Sequence, residues 1–181
     1  MPALIIITIV FILLYSLVMY LTGKPVRKNE MLYPFQERII KCKEPEQKVL
    51  YIYQPSTHGS VEAVADYFAG RLKNKHCEVC MNRPSPELSY NIEDYDVIFL
   101  SSAVYMGLPS LVLQKYIETH SFAGKKVVIL LIGRRTDLTE EVEMLAERIE
   151  DAAEICRIKV SKNEYETAWE TISAFIEEAA E

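Results

Sequence analysis

No charged side chain occurs between residues 2 and 22 of this 181-residue chain. The run PALIIITIVFILLYSLVMYLT is apolar on every face, which excludes an ordinary amphipathic surface helix. At about 1.5 Å rise per residue it covers about 30 Å, the thickness of the hydrocarbon layer of a bilayer. No Lys or Arg precedes it and no A-x-A-like site follows, so an uncleaved anchor is favoured over a cleaved secretory signal. The sequence predicts one N-terminal transmembrane helix, residues 1–22, with Tyr20 at headgroup level. Lys24, Arg27 and Lys28 follow directly. By the positive-inside rule they place a single-pass membrane protein with its C-terminal domain in the cytoplasm.

Other absences narrow the field. Cys42, Cys77, Cys80 and Cys156 lack the pattern of a secreted disulfide scaffold, and free thiols suit a reducing compartment. Net positive charge is missing: the chain carries −6, split as +2 over residues 1–47 and −8 over residues 48–181. Such an acidic domain is no nucleic-acid binder and would steer towards basic partner surfaces. With no internal repeat and no low-complexity tract, the length suits one domain plus a tail.

What is present falls into two parts. Residues 23–47 read as a juxtamembrane linker, interrupted by Pro25, Pro34 and Pro45, with room for a short amphipathic piece near 35–40. From residue 48 to 181, strands alternate with helices. Strands are predicted over 48–53, 77–81, 96–101, 126–132 and 155–160. Helices are predicted over 60–74, 109–120, 137–153 and 165–179, the third starting on a capping pair of Asp137 and Glu140. Near-continuous apolar strands alternating with helices imply a doubly wound five-stranded parallel sheet of order 2-1-3-4-5. Ligands in such sheets bind beyond the C-terminal strand ends, at the switch point.

Three loops meet there. The first offers hydroxyls at Ser56, Thr57 and Ser60, a turn at Gly59 and a helix N-terminus, the parts of a phosphate cradle. In the second, Ala103 and Val104 allow close backbone approach. Tyr105 and Met106 can wall a flat ring, and Gly107 suits an unusual backbone angle. The third brings Gly133, Arg134, Arg135 and Thr136, with positive charge for an electron-rich ligand. The Cys77–Cys80 spacing suits redox or zinc chemistry, but in a strand those positions face opposite ways.

The stretch STHGSV followed by EAVADYFAGRL resembles the phosphate loop and first helix of flavodoxins, and VIFLSSAVYMGLPS resembles their second flavin loop. The likeness spans residues 48–181 and leans towards the branch containing menaquinone-dependent protoporphyrinogen oxidase. It implies a flavodoxin-like fold and bound FMN. Ser56, Thr57, His58, Gly59, Ser60 and Val61 would lie at the phosphate. Ala103, Val104, Tyr105, Met106 and Gly107 would lie on the ring, with Gly133, Arg134, Arg135 and Thr136 along its edge. Val61 departs from the usual Thr of that family. One hydrogen bond to a charged group is worth about 1.5–3 kcal/mol, or about 10- to 150-fold in affinity. The third loop also lacks the usual second stacking aromatic, and the long insertion of the oxidase branch is missing.

The expectation is a membrane-tethered FMN protein passing electrons to a redox partner protein or a quinone, with no catalytic side chain and no metal site. Two alternatives stand beside it. One is a flavin-dependent quinone or porphyrinogen oxidoreductase, so whether the chain is an enzyme stays open. The other is a docking module that has lost FMN.

Overall fold

The computed structural model describes residues 2–85, 87–88, 90–137 and 139–177, except the side chains of residues 2–4, 22, 24, 25 and 28. The chain runs α1 (Pro2–Asn29), β1 (Arg38–Ile40), β2 (Gln47–Tyr53), α2 (Ser60–Asn74), β3 (Cys77–Asn82), β4 (Val97–Ala103), α3 (Leu111–Thr119), β5 (Lys126–Ile132), α4 (Glu140–Ala146), β6 (Glu154–Val160) and α5 (Trp169–Glu177).

The strands form one sheet in the order β1-β3-β2-β4-β5-β6. Its five parallel strands keep the expected doubly wound order, but the sheet has six strands rather than five. The sixth is β1, paired antiparallel to β3 through Arg38–Met81, Ile39–Cys80 and Ile40–Val79. It comes from the stretch read as a linker. Three residues are too short to show a period of two, so alternation could not reveal it. An Arg38–Asp66 ion pair ties it to α2.

Alternate residues of each strand face opposite layers. Val49, Tyr51, Val97, Phe99, Val128 and Leu130 pack under α2 and α5, against Phe68, Leu72, Trp169 and Ile172. Leu50, Ile52, Ile98, Leu100, Ile129 and Leu131 pack under α3 and α4, against Leu113, Tyr116, Val142 and Leu145. Both sheet faces are therefore covered, as parallel sheets require.

Two helices depart from expectation. α4 spans Glu140–Ala146, far less than 137–153. Asp137 does not cap it: Asp137 pairs with Arg135 at 3.1 Å, and Thr139 holds the N-cap position without a side-chain bond. The last helix begins as a 3-10 turn, Tyr165–Ala168, before α5. Its expected end at Glu178 and Ala179 lies outside the described residues.

The N-terminal expectation is corrected. Among the described residues, no helix is long and apolar enough to cross a membrane. The membrane localisation and the cytoplasmic orientation of the domain fall with it. Two of the charges that set that orientation, on Lys24 and Lys28, lie outside the described residues. The large apolar side chains from Ile5 to Leu21 are 50–70% exposed.

α1 ends inside the domain. The Asn29 carbonyl accepts from Gln54 Nε2 at 2.9 Å and from Ser110 Oγ at 2.8 Å. These donors satisfy a C-terminal carbonyl that a helix leaves unpaired. Gln54 Nε2 also donates to the Met31 carbonyl, and the Leu111 amide donates to Glu30. The segment after α1 is thereby seated beside the C-terminal ends of β2 and β4.

Candidate functional site

Sheet hydrogen bonding continues past the strand ends and sets the loops in register. Gln54 N–H donates to the Ser101 carbonyl, Val104 N–H to Ile132, and Gly133 N–H to Val160, at 2.8–2.9 Å. Above these ends lies a cavity of about 710 Å³, within the usual range for small-molecule sites of roughly 300–1,000 Å³. A second cavity, about 460 Å³, lies near Ile92 and His120 at the opposite strand edge. The switch-point rule favours the first.

The first loop is tied to itself. Ser56 is buried, and its amide and hydroxyl both donate to the Glu62 carboxylate at 3.1 Å. The Ser56 oxygen also accepts from Val61 N–H and lies 3.1 Å from the Ser60 hydroxyl. Gly59 takes φ 71°, a left-handed turn that starts α2 without a side-chain cap; glycine allows it at little cost. His58 and Ser60 line the cavity, whereas Ser56, Thr57, Gly59 and Val61 do not. Val61 is fully buried in the layer under α2, which gives a physical reason for an apolar residue there.

The second loop forms a tight hairpin. Tyr105 and Leu108 exchange backbone hydrogen bonds of 3.0 and 3.1 Å. Met106 (φ 53°) and Gly107 (φ 77°) between them are both left-handed, the pattern of a type I′ turn. A left-handed methionine is unusual. Here it holds a 79% exposed side chain at the cavity mouth. All five expected residues of this loop, 103–107, line the cavity. Behind them Ser110 caps α3 by accepting from the Val112 and Leu113 amides, as N-cap serines do.

From the third loop, Gly133, Arg134 and Arg135 line the cavity and Thr136 does not. The Arg135 guanidinium, hydrogen-bonded to Asp137, holds that carboxyl below the usual carboxylate range.

Sequence reasoning missed a fourth wall. Ile132, Glu141, Lys159, Ser161, Lys162 and Asn163 also line the cavity. Ile132 pairs with Val160, so the residues after β6 share the edge with the third loop. The available signal was two cations two residues apart, Arg157 and Lys159, within the strand CRIKV. Among the described residues, the lining carries Lys159, Lys162, Arg134 and Arg135 against one carboxylate, Glu141, in a chain of net charge −6.

Cys77 and Cys80 do not form a site. They sit in the layers on opposite faces of the sheet, and burial pushes the Cys77 thiol up to about 11.

Solved structures match this arrangement. Oxidised flavodoxin 2 from Bacillus cereus has 24% identity and a TM-score of 0.58, over 72% of this chain and 99% of that one. The fold is that of the flavodoxins. A Fusobacterium nucleatum flavodoxin bound to flavin mononucleotide has 12% identity and a TM-score of 0.53, over 73% of this chain and 96% of its own. A Lactobacillus acidophilus flavoprotein in complex with FMN has 14% identity and a TM-score of 0.50, over 68% and 99% of the two chains. No protein-family model and no curated protein matches the chain.

Proposed function

We propose that this flavodoxin-fold chain binds FMN in the 710 Å³ cavity and transfers electrons through it. The observation that carries the reading is the cavity itself, placed over the C-terminal ends of the parallel strands and walled by the loops that follow them. The residues present fit the group. The start of α2, with His58 and Ser60, offers the positive end of a helix and polar side chains to a phosphate. Tyr105 offers a flat apolar wall, and the Gly133 backbone lies along the edge. Lys162, Arg134 and Arg135 favour an anion over a neutral ligand.

FMN when bound supplies the redox chemistry, and the protein supplies binding, orientation and electrostatics. Ser56 and Glu62 hold the first loop in shape through the two bonds that Ser56 donates to the carboxylate. The type I′ turn holds Tyr105 and Met106 at the rim. No side chain needs to move a proton. The partner in this reading is a redox protein or a quinone. Purified chain should bind added FMN with quenching of its fluorescence and a shift of the flavin absorption bands. Saturating FMN without either change refutes the proposal.

A second reading, a flavin-dependent oxidoreductase of a quinone-like substrate, is favoured by one observation. Among the described lining residues Tyr105 is the one Phe, Tyr or Trp, so a bound ring would have one aromatic side chain to stack on, which would favour access of a substrate to its other face. Turnover of a soluble quinone by the FMN-loaded chain, with a chemical reductant, separates an enzyme from a carrier.

A further inference from the structure

Lys159 of β6 and Glu141 of α4 form an ion pair of 2.8 Å in the wall of the cavity, with side chains 2% and 10% exposed. Burying such a pair costs desolvation that its attraction barely offsets, so an apolar pair would join β6 to α4 at least as well. The Lys159 stem lies so close to Gly133 that a Cβ there would stand 2.8 Å from its ε-carbon. Glycine in the third loop is what leaves room for the lysine. The other lining cations, Arg134, Arg135 and Lys162, are exposed, where water and salt screen them. Lys159 and Glu141 act from a drier setting, in which a fixed charge is felt more strongly.

We propose that the Lys159–Glu141 pair sets the reduction potential of the cavity's cofactor, with Lys159 favouring the reduced form and Glu141 opposing it. The inference rests on the FMN reading above. Two electrons from a reduced partner protein, which is thereby oxidised, and one proton from water leave the ring with one added negative charge. A neighbouring ammonium stabilises that added charge and a neighbouring carboxylate destabilises it. The paired arrangement gives a balance that either substitution tips, in opposite directions.

The test uses the full chain loaded with FMN and titrated with dithionite against a reference dye. Lys159→Met should shift the ratio of affinities for reduced over oxidised FMN about tenfold towards the oxidised form. That corresponds to a midpoint about 30 mV more negative for a two-electron couple. Glu141→Gln should move the midpoint the opposite way by a similar amount, and the double variant should return close to the parent. A structural contact would not give shifts of opposite sign. If Lys159→Met fails to fold, Glu141→Gln decides alone: a more positive midpoint supports the proposal, and an unchanged one overturns it. Variants that bind FMN with unchanged midpoints overturn the tuning role and leave FMN binding standing. A parent chain that binds no FMN overturns both.

Discussion

The two sides of the cavity use their polar groups in opposite ways. On the α2 side, Ser56, Ser60, Glu62 and the Val61 amide are joined by bonds of 3.1 Å. On the β5–β6 side, Arg134, Lys159 and Lys162 line the cavity. The difference separates two tasks. Bonds within a loop fix its shape at a net gain of about 1 kcal/mol each. Charges lining a cavity select what enters it.

The comparison can be broken most strongly at Ser56. Ser56→Ala leaves the Val61 amide and the Glu62 carboxylate short of a partner. It should lower stability by about 2–3 kcal/mol, read as a drop in the urea midpoint. Gly133→Ala tests the other side. A Cβ placed 2.8 Å from the Lys159 ε-carbon should cost about 1–2 kcal/mol in strain and weaken FMN binding by displacing that lysine. Val61→Thr should cost about 1 kcal/mol, because it buries a hydroxyl within an apolar layer. A thermal melt reads that loss. A rise in FMN affinity at unchanged stability would show instead that the threonine faces the ligand. Arg134→Ala and Arg135→Ala should change stability least, within about 0.5 kcal/mol. They should weaken FMN binding at low salt, with the difference shrinking as salt is raised.

Much of the sheet was legible along the chain. Residues 60–74 and 126–132 carry their period and composition without interruption, and those elements form with the expected bounds. β1 was not legible, because its pairing with β3 depends on a strand far along the chain. α4 was over-extended because the charged run 140–154 favours helix locally, while the structure turns after Ala146. At the site, the five expected residues of the second loop line the cavity, but Ser56, Thr57, Gly59, Val61 and Thr136 do not. The motif names residues that shape the first loop as readily as residues that face a ligand. Direction is a property of the folded backbone.

The apolar run at the N-terminus shows the same division. Its composition determines that residues 2–29 form a helix, since helical bonding is local. Among the described residues, no helix is long and apolar enough to cross a membrane. Where the helix ends is a tertiary matter: Gln54 and Ser110, distant in sequence, hold the Asn29 carbonyl. The sequence alone determined the alternation of strand and helix, and with it the layered fold, because periodicity and burial act over a few residues. Only the tertiary structure brought Lys159 and Glu141 together against Gly133. A lysine in β6 is visible along the chain, but its pairing with a carboxylate on α4 exists only once the layers pack.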